Sequence, residues 1–303
     1  MSAQLEQTSL YIECGDHHLH IRHIENPTQA RKGVVLFVHG AIENGRVFYT
    51  KSNKGLAPFL AEQGFSCYVL DLRGRGESRP RINRDSRFDQ RDSVIEDIPA
   101  AFSFIESHCG RKVSHVIAHS WGGVMVNAAF ARDEDLTSSV SGCVYFAAKR
   151  QIKNRHPSRY LQINLVWQAL APILVKRFGY LPATQFKIGA DNESALSHQQ
   201  GVAWLKSENW HCPIDGFDYK HALSDRALPP ILHIAAINDK ALAQPVDIKA
   251  FINESGKGKQ VFKLYGKKFG HAADYDHISM LTSPQARNDI YQDCLAWLEQ
   301  TTQ

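Results

Sequence analysis

One stretch, residues 112–125 (KVSHVIAHSWGGVM), constrains the fold of this chain more than any other, because its backbone must change period within two or three residues. Val113, Val116 and Ile117 form an apolar run of strand length, whereas Val124, Met125, Val126, Ala128 and Ala129 suit a buried helix. The change falls on His119, Ser120 and Trp121. An abrupt strand-to-helix turn strains the backbone and leaves room only for small neighbours, which Ala118, Gly122 and Gly123 supply. Such a turn raises a serine hydroxyl above the sheet edge and aims it along the start of the helix. The usual pattern is Gly-x-Ser-x-Gly, and here Ala118 stands at its first position. Taken alone, Ser120 is also compatible with an ordinary helix N-cap.

The rest of the chain alternates around this turn. Residues 8–25 alternate about Gly15 and Asp16, a hairpin signal, so the chain is expected to open with an antiparallel pair. Its histidines, His17, His18, His20 and His23, are divided by alternation between two faces, too few on either for a metal site, and a solvated strand pair is expected. Residues 33–40 (GVVLFVHG) read as a strand buried on both faces, followed by a sharp turn through His39, Gly40, Ala41 and Ile42. A helix over 53–63, a strand ending at Asp71 and a helix over 93–109 lead to the serine turn; the strand 141–148 follows it. Strand and helix in alternation imply a mostly parallel sheet with right-handed crossovers and flanking helices.

The alternation lapses over 149–225, a stretch rich in aromatics (Trp167, Phe178, Tyr180, Trp204, Trp210) and broken by Pro157, Pro172, Pro182 and Pro213. We expect a mostly helical cap there, inserted into a core made of 1–148 and 226–303. The pattern resumes with a strand within 229–239, a helix over 246–254, a strand within 259–266 and a last helix over 284–298.

Composition narrows the function classes. Hydrophobic residues at 43% and charged residues at 22% exclude disorder for the chain as a whole, and a net charge of +4 is too small to argue for nucleic acid. No basic start followed by an apolar run opens the sequence and no apolar stretch is long enough to cross a bilayer, so no leader and no stable membrane anchor are expected. The six cysteines have no CxxC spacing and read as reduced thiols of a cytoplasmic protein. Two basic runs, Lys149, Arg150, Lys153, Arg155 and Arg159, and Arg73 to Arg91, are expected to be solvated faces, with attraction of an anionic substrate or lipid surface as the alternative.

A serine hydroxyl is a weak nucleophile without a base, and the base needs a partner to fix its tautomer. Asp239, just beyond the strand ILHIAAIN, is the candidate acid. Two histidines follow the last strand; His277, seven residues before Pro284, is favoured as the base, with His271 as the alternative. The amides of Ala41 and Trp121 are the candidate oxyanion donors. No cofactor or metal is expected.

The order Ser120, Asp239, His277 is that of an α/β-hydrolase, and the chain resembles that superfamily over nearly its whole length. The segments VVLFVHG, LAPFLAEQGFSCYVLDLRGRGES, EDIPAAFSFI, AHSWGG and HISMLTSPQARNDIY are similar to acid lipases of the gastric and lysosomal type and, more distantly, to polyhydroxyalkanoate synthases. The resemblance implies an α/β-hydrolase fold, His277 at the place of the family's base, and ester hydrolysis through an acyl-enzyme at Ser120. Ser120 stands where the synthases have cysteine, and Ser279 where the lipases have an aspartate. The expected partner is a small-molecule acyl ester; the cap aromatics suggest an apolar acyl or aryl part, although such a stripe of aromatics is more often simple packing. An acyltransferase with the same triad, or a weakly catalytic ligand-sensing receptor, stays open.

Overall fold

The computed structural model describes residues 5–302. Residues 1–4, where the stretch read as lacking a leader begins, lie outside the described residues. The strands are β1 (Glu6–Cys14), β2 (His17–Glu25), β3 (Gly33–Val38), β4 (Phe65–Asp71), β5 (His115–His119), β6 (Gly142–Phe146), the two-residue β7 (Tyr180–Leu181) and β8 (Glu193–Ser194), β9 (Ile231–Ala236) and β10 (Gln260–Tyr265). Eight of them form one sheet in the order β1-β2-β4-β3-β5-β6-β9-β10. β2 pairs antiparallel with β1 and β4, and the remaining pairings are parallel.

The register aligns the carboxyl ends of the central strands. Val38 lies opposite both Leu70 and Ala118, Ala118 opposite Tyr145, and Phe146 opposite Ile234. The loops after β3, β5, β6 and β9 therefore rise side by side, at the edge where open parallel sheets gather their ligands.

Both faces are covered, which is why these strands read as unbroken apolar runs. Leu36, Val38, Val116, Ala118 and Tyr145 pack on one face under helices Ile98–Cys109 and Trp121–Arg132. Val35, Phe37, Ile117, Val144, Phe146 and Ile234 pack on the other with Leu60 of helix Leu56–Glu62 and Cys294 and Leu298 of helix Ile290–Thr301.

Two expected helices start later than the pattern implied. The first begins at Leu56, because Gly55 before it sits at φ 116, outside helical geometry, where a Cβ would collide with the Phe48 carbonyl oxygen. The last begins at Ile290 after a separate short 3-10 turn, Pro284–Arg287. Between them the Asp289 carboxylate accepts from the Ala272 amide and the Tyr275 hydroxyl, which holds Asp289 out of helical geometry. The helix expected over 93–109 opens as a π-helical turn, Ser93–Asp97, ahead of Pro99, which has no N–H to give to an α-helical ladder.

The hairpin at Gly15 forms, but its histidines are not a solvated row. His20 is fully buried, with its Nδ1 2.8 Å from Asp71 Oδ2, and His23 is buried against Ser66 and Tyr68. The neighbouring strand β4 and the loop after it supply partners on both faces, Asp71 and Ser78 for His20 and Ser66 and Tyr68 for His23, which alternation within β2 does not reveal. Asp71 in turn accepts from the amides of Gly45 and Glu77, tying the loops after β3 and β4 together.

Between β6 and β9 the chain forms the π-helical stretch Tyr160–Leu170, helices Ala171–Phe178, Ala195–Lys206 and Tyr219–Ser224, and the β7/β8 pair. It rests on the sheet's carboxyl edge: the Asp191 amide donates to the Ile42 carbonyl at 3.0 Å, the Gly76 amide to Asp191 Oδ2 at 2.6 Å, and Arg75 pairs with Glu193. Trp204, Trp210 and Tyr219 pack ring against ring at 5.2–5.8 Å. These two tryptophans are packing residues, not the lining of a substrate pocket.

The basic runs also depart from expectation. Arg150 is wholly buried; it forms a two-pronged pair with Glu254 and donates to the carbonyls of Trp204 and Ser207. Arg73 is buried against Asp97, whereas Lys153, Arg155, Arg81, Arg84 and Arg87 are exposed as anticipated. All six cysteines are free thiols, and among the described residues no helix is long and apolar enough to cross a membrane.

Candidate active site

Ser120 occupies the turn between β5 and helix Trp121–Arg132 at φ 52, ψ −119, a conformation costly for any residue with a Cβ. Its surroundings accept the turn only because they are small. A Cβ on Gly122 would lie 2.5 Å from the Val38 carbonyl oxygen and 2.6 Å from that of His39, and one on Gly123 would meet Ala148 at 2.6 Å. Gly40 passes so close that an added Cβ would sit 3.0 Å from Ser120 Cβ. The turn after β3 thus lies against the serine, and Ala41 and Trp121 line the same cavity of about 10 Å³, room for about one water.

His277 and Asp239 converge on Ser120 from separate loops. His277 Nε2 is 3.0 Å from Ser120 Oγ, and its Nδ1 is 2.5 Å from Asp239 Oδ2. Because an ionised carboxylate only accepts, Nδ1 carries the proton and Nε2 faces the serine with a lone pair. Asp239 Oδ1 accepts from the Leu242 and Ala243 amides, which fixes the carboxylate plane. Burial opposes its charge, but His277 and Lys149 outweigh burial and hold the carboxyl down to about 2. Burial lowers the His277 pKa below its ordinary value, with Lys149 pushing the same way and Asp239 opposing. The imidazole is therefore ready to accept a proton.

The loop bearing His277 is held by its neighbours. Asp276 Oδ1 accepts from the Ile278 and Ser279 amides, and the Ser279 hydroxyl accepts from the Asp276 amide at 2.8 Å. Ser279 therefore has a structural use in this loop. His271, the alternative base, points elsewhere: its Nδ1 lies 3.1 Å from the Gly266 carbonyl oxygen and its ring packs on Tyr265.

Three residues of the site were absent from the expected set. His119 lies between two acceptors, with Nδ1 2.8 Å from Glu43 Oε2 and Nε2 2.9 Å from the His277 carbonyl oxygen. Glu43 Oε2 also accepts from the Gly40 amide, and His119 outweighs burial to hold this carboxyl down to about 2. Ligand atoms of Glu43, His119 and His277 lie within 4.8 Å of one another, as in a metal site, but each is engaged in the bonds just described. The third residue is Lys149, expected on a solvated face but buried with its Nζ 2.7 Å from Ser120 Oγ. A signal for it existed: Lys149 directly follows the apolar run of β6, at the sheet edge where sites assemble.

A parallel sheet with a serine on a strained strand-to-helix turn, and with the acid and histidine on the loops of later strands, defines an α/β-hydrolase type of fold. Residues 33–211 match the family described as alpha/beta hydrolase fold, and the chain belongs to that family. It is 26% identical over 190 residues to a tear acid lipase-like protein of Mesocricetus auratus, a match that takes in 60% of this chain and 43% of that one. The chain thus spans less than half the length of that curated relative. Among solved structures it is similar to a monoglyceride lipase from Saccharomyces cerevisiae (TM-score 0.66, 18% identity, 98% of this chain and 96% of that one). It is likewise similar to a putative aryl esterase from Burkholderia cenocepacia (TM-score 0.60, 21% identity, 97% and 99%).

Proposed function

We propose that this protein hydrolyses carboxylic esters through an acyl-enzyme at Ser120. The observation that carries the reading is the unbroken chain from Ser120 Oγ to His277 Nε2 at 3.0 Å and from His277 Nδ1 to Asp239 Oδ2 at 2.5 Å. As Ser120 Oγ attacks the ester carbonyl, its proton passes to His277 Nε2, and Asp239 stabilises the imidazolium. The amides of Ala41 and Trp121 take the oxyanion. His277 then returns the proton to the departing alcohol, and water, deprotonated by the same nitrogen, releases the acid. The segment 149–225 acts as a cap over this edge and sets substrate choice. The lipase and esterase relatives support an ester as the substrate class.

The test is labelling with a fluorophosphonate, followed by hydrolysis of p-nitrophenyl esters of increasing acyl length. The wild type should be labelled at Ser120 and hydrolyse esters of the series, whereas Ser120→Ala and His277→Ala should lose both activities and His271→Ala should keep them. Ester hydrolysis that survives in Ser120→Ala would overturn the reading.

A further inference from the structure

Lys149 has no part in a three-residue mechanism, yet it touches the reacting atom. It follows β6, the neighbour of β5 on the side away from β3, so it meets Ser120 from the flank opposite Gly40 and Ala41. Its side chain is buried, its Nζ lies 2.7 Å from Ser120 Oγ, and among the described residues that hydroxyl is its hydrogen-bond partner and no carboxylate forms an ion pair with it. Burying an ammonium without a counter-ion is unfavourable, so such a residue weakens the fold that holds it. The backbone leading to it is also strained: Ala147, a residue with a Cβ, is held at φ 51 by its amide bond to the Ile234 carbonyl. Strain and an unpaired buried cation, both beside one hydroxyl, are the pattern of a functional position.

We propose that Lys149 is a fourth catalytic residue, an N–H donor that stays bonded to Ser120 Oγ throughout the reaction and stabilises the negative charge gathering on that oxygen. The inference rests on Ser120 being the nucleophile. During attack the serine proton leaves for His277 Nε2 while Lys149 keeps its own protons, so the Oγ–carbon bond forms with a cation beside the oxygen losing its proton. During deacylation the Oγ–carbon bond breaks, His277 returns a proton to Oγ, and Lys149 again stabilises the departing oxygen. Nothing is consumed and the lysine ends as it began.

The charged groups facing Lys149 are Asp239 after β9, Glu43 after β3, Asp247 on helix Pro245–Ile252 and, across Ser120, His277, with His119 beyond it. Burial lowers the lysine below its ordinary 10.5, and the three carboxylates oppose it. The lysine in turn lowers His277.

The experiment measures the rate of fluorophosphonate labelling against pH, with thermal unfolding in parallel, for the wild type and Lys149→Met. In the wild type the rate should rise as His277 loses its proton and fall again, below pH 10.5, as Lys149 loses its charge. Lys149→Met should label about 100-fold more slowly, lose the falling limb and move the rising limb to higher pH. It should unfold at the same temperature or higher, because an unpaired buried charge has been removed. Ethylammonium added to Lys149→Ala should restore part of the rate. Labelling of Lys149→Met at the wild-type rate and with the wild-type pH profile overturns the proposal. So does a slower rate with an unchanged profile and a lower unfolding temperature, which marks a structural residue. Normal labelling of His277→Ala beside loss in Lys149→Met also overturns it, because the lysine would then be the base. If wild-type Ser120 is not labelled at all, it is the assignment of the nucleophile that fails.

Discussion

Glu43→Gln isolates one charge in the site and leaves its shape intact. The carboxylate accepts from the Gly40 amide at 2.9 Å and from His119 Nδ1 at 2.8 Å, and its side chain is only 14% exposed. Glutamine has the same length and one acceptor oxygen, so the geometry can persist while the charge is lost. A carboxyl held at about 2 instead of its ordinary 4.5 contributes about 3 kcal/mol of stability at neutral pH. The sign is fixed by the direction of the shift. A lowered carboxyl gives its full contribution above its unfolded value and loses it as the pH falls toward its folded value, here between about 4.5 and about 2.

Guanidinium unfolding at pH 7 should therefore show Glu43→Gln about 3 kcal/mol less stable than the wild type, and the gap should narrow at pH 3. In a chain of this size, 303 residues, that loss lowers the unfolding temperature by about 5 °C. A second effect follows from the path of the network. His119 passes from Glu43 to the His277 carbonyl, so loosening it loosens the loop that bears the base, and fluorophosphonate labelling should slow at every pH. Equal stability of the two proteins at pH 7, or a gap that does not change between pH 7 and pH 3, would refute the account of Glu43 as a charged anchor.

Asp239→Asn should keep the fold but present His277 to Ser120 in the wrong tautomer, lowering ester turnover by about 10³- to 10⁴-fold in a steady-state assay. In the wild type the acid limb of that assay should lie below pH 6.5, because burial and Lys149 keep His277 neutral to lower pH; an acid limb above 6.5 would contradict the environment described. Arg150→Met should cost about 3–5 kcal/mol in guanidinium unfolding, because Glu254 and the carbonyls of Trp204 and Ser207 lose a shared buried donor. Limited proteolysis of that variant should cut first between residues 149 and 225, the segment that the arginine ties to Glu254 beyond helix Pro245–Ile252.

What could be read in the sequence was whatever depends on period and on chain order. The central strands are apolar on both faces, so a parallel sheet under two layers of helices follows from runs such as Gly33–Val38 and Gly142–Phe146. Small residues packed around one serine mark the turn at Ser120, and the positions of Asp239 and His277 after later strands follow from where those strands end. Element boundaries were less legible, because tertiary contacts set them: the Asp289 carboxylate holds the last helix back to Ile290 by bonding to Ala272 and Tyr275, partners that no local pattern announces.

The charged residues of the site were hidden for a related reason. Lysine and arginine are exposed so often that a run containing Lys149 and Arg150 reads as a solvated face. Burial of such residues is decided by what meets them from distant parts of the chain, Glu254 for the arginine and Ser120 for the lysine. The two cases differ in their chemistry. Arg150 is matched by a carboxylate and backbone carbonyls, as expected of a structural ion pair, whereas Lys149 has only a hydroxyl among the described residues. A cation buried with its charge balanced explains itself through stability. A cation buried with its charge unbalanced is retained for what it does to the oxygen beside it, and that difference is why Lys149, and not Arg150, belongs with the reacting groups.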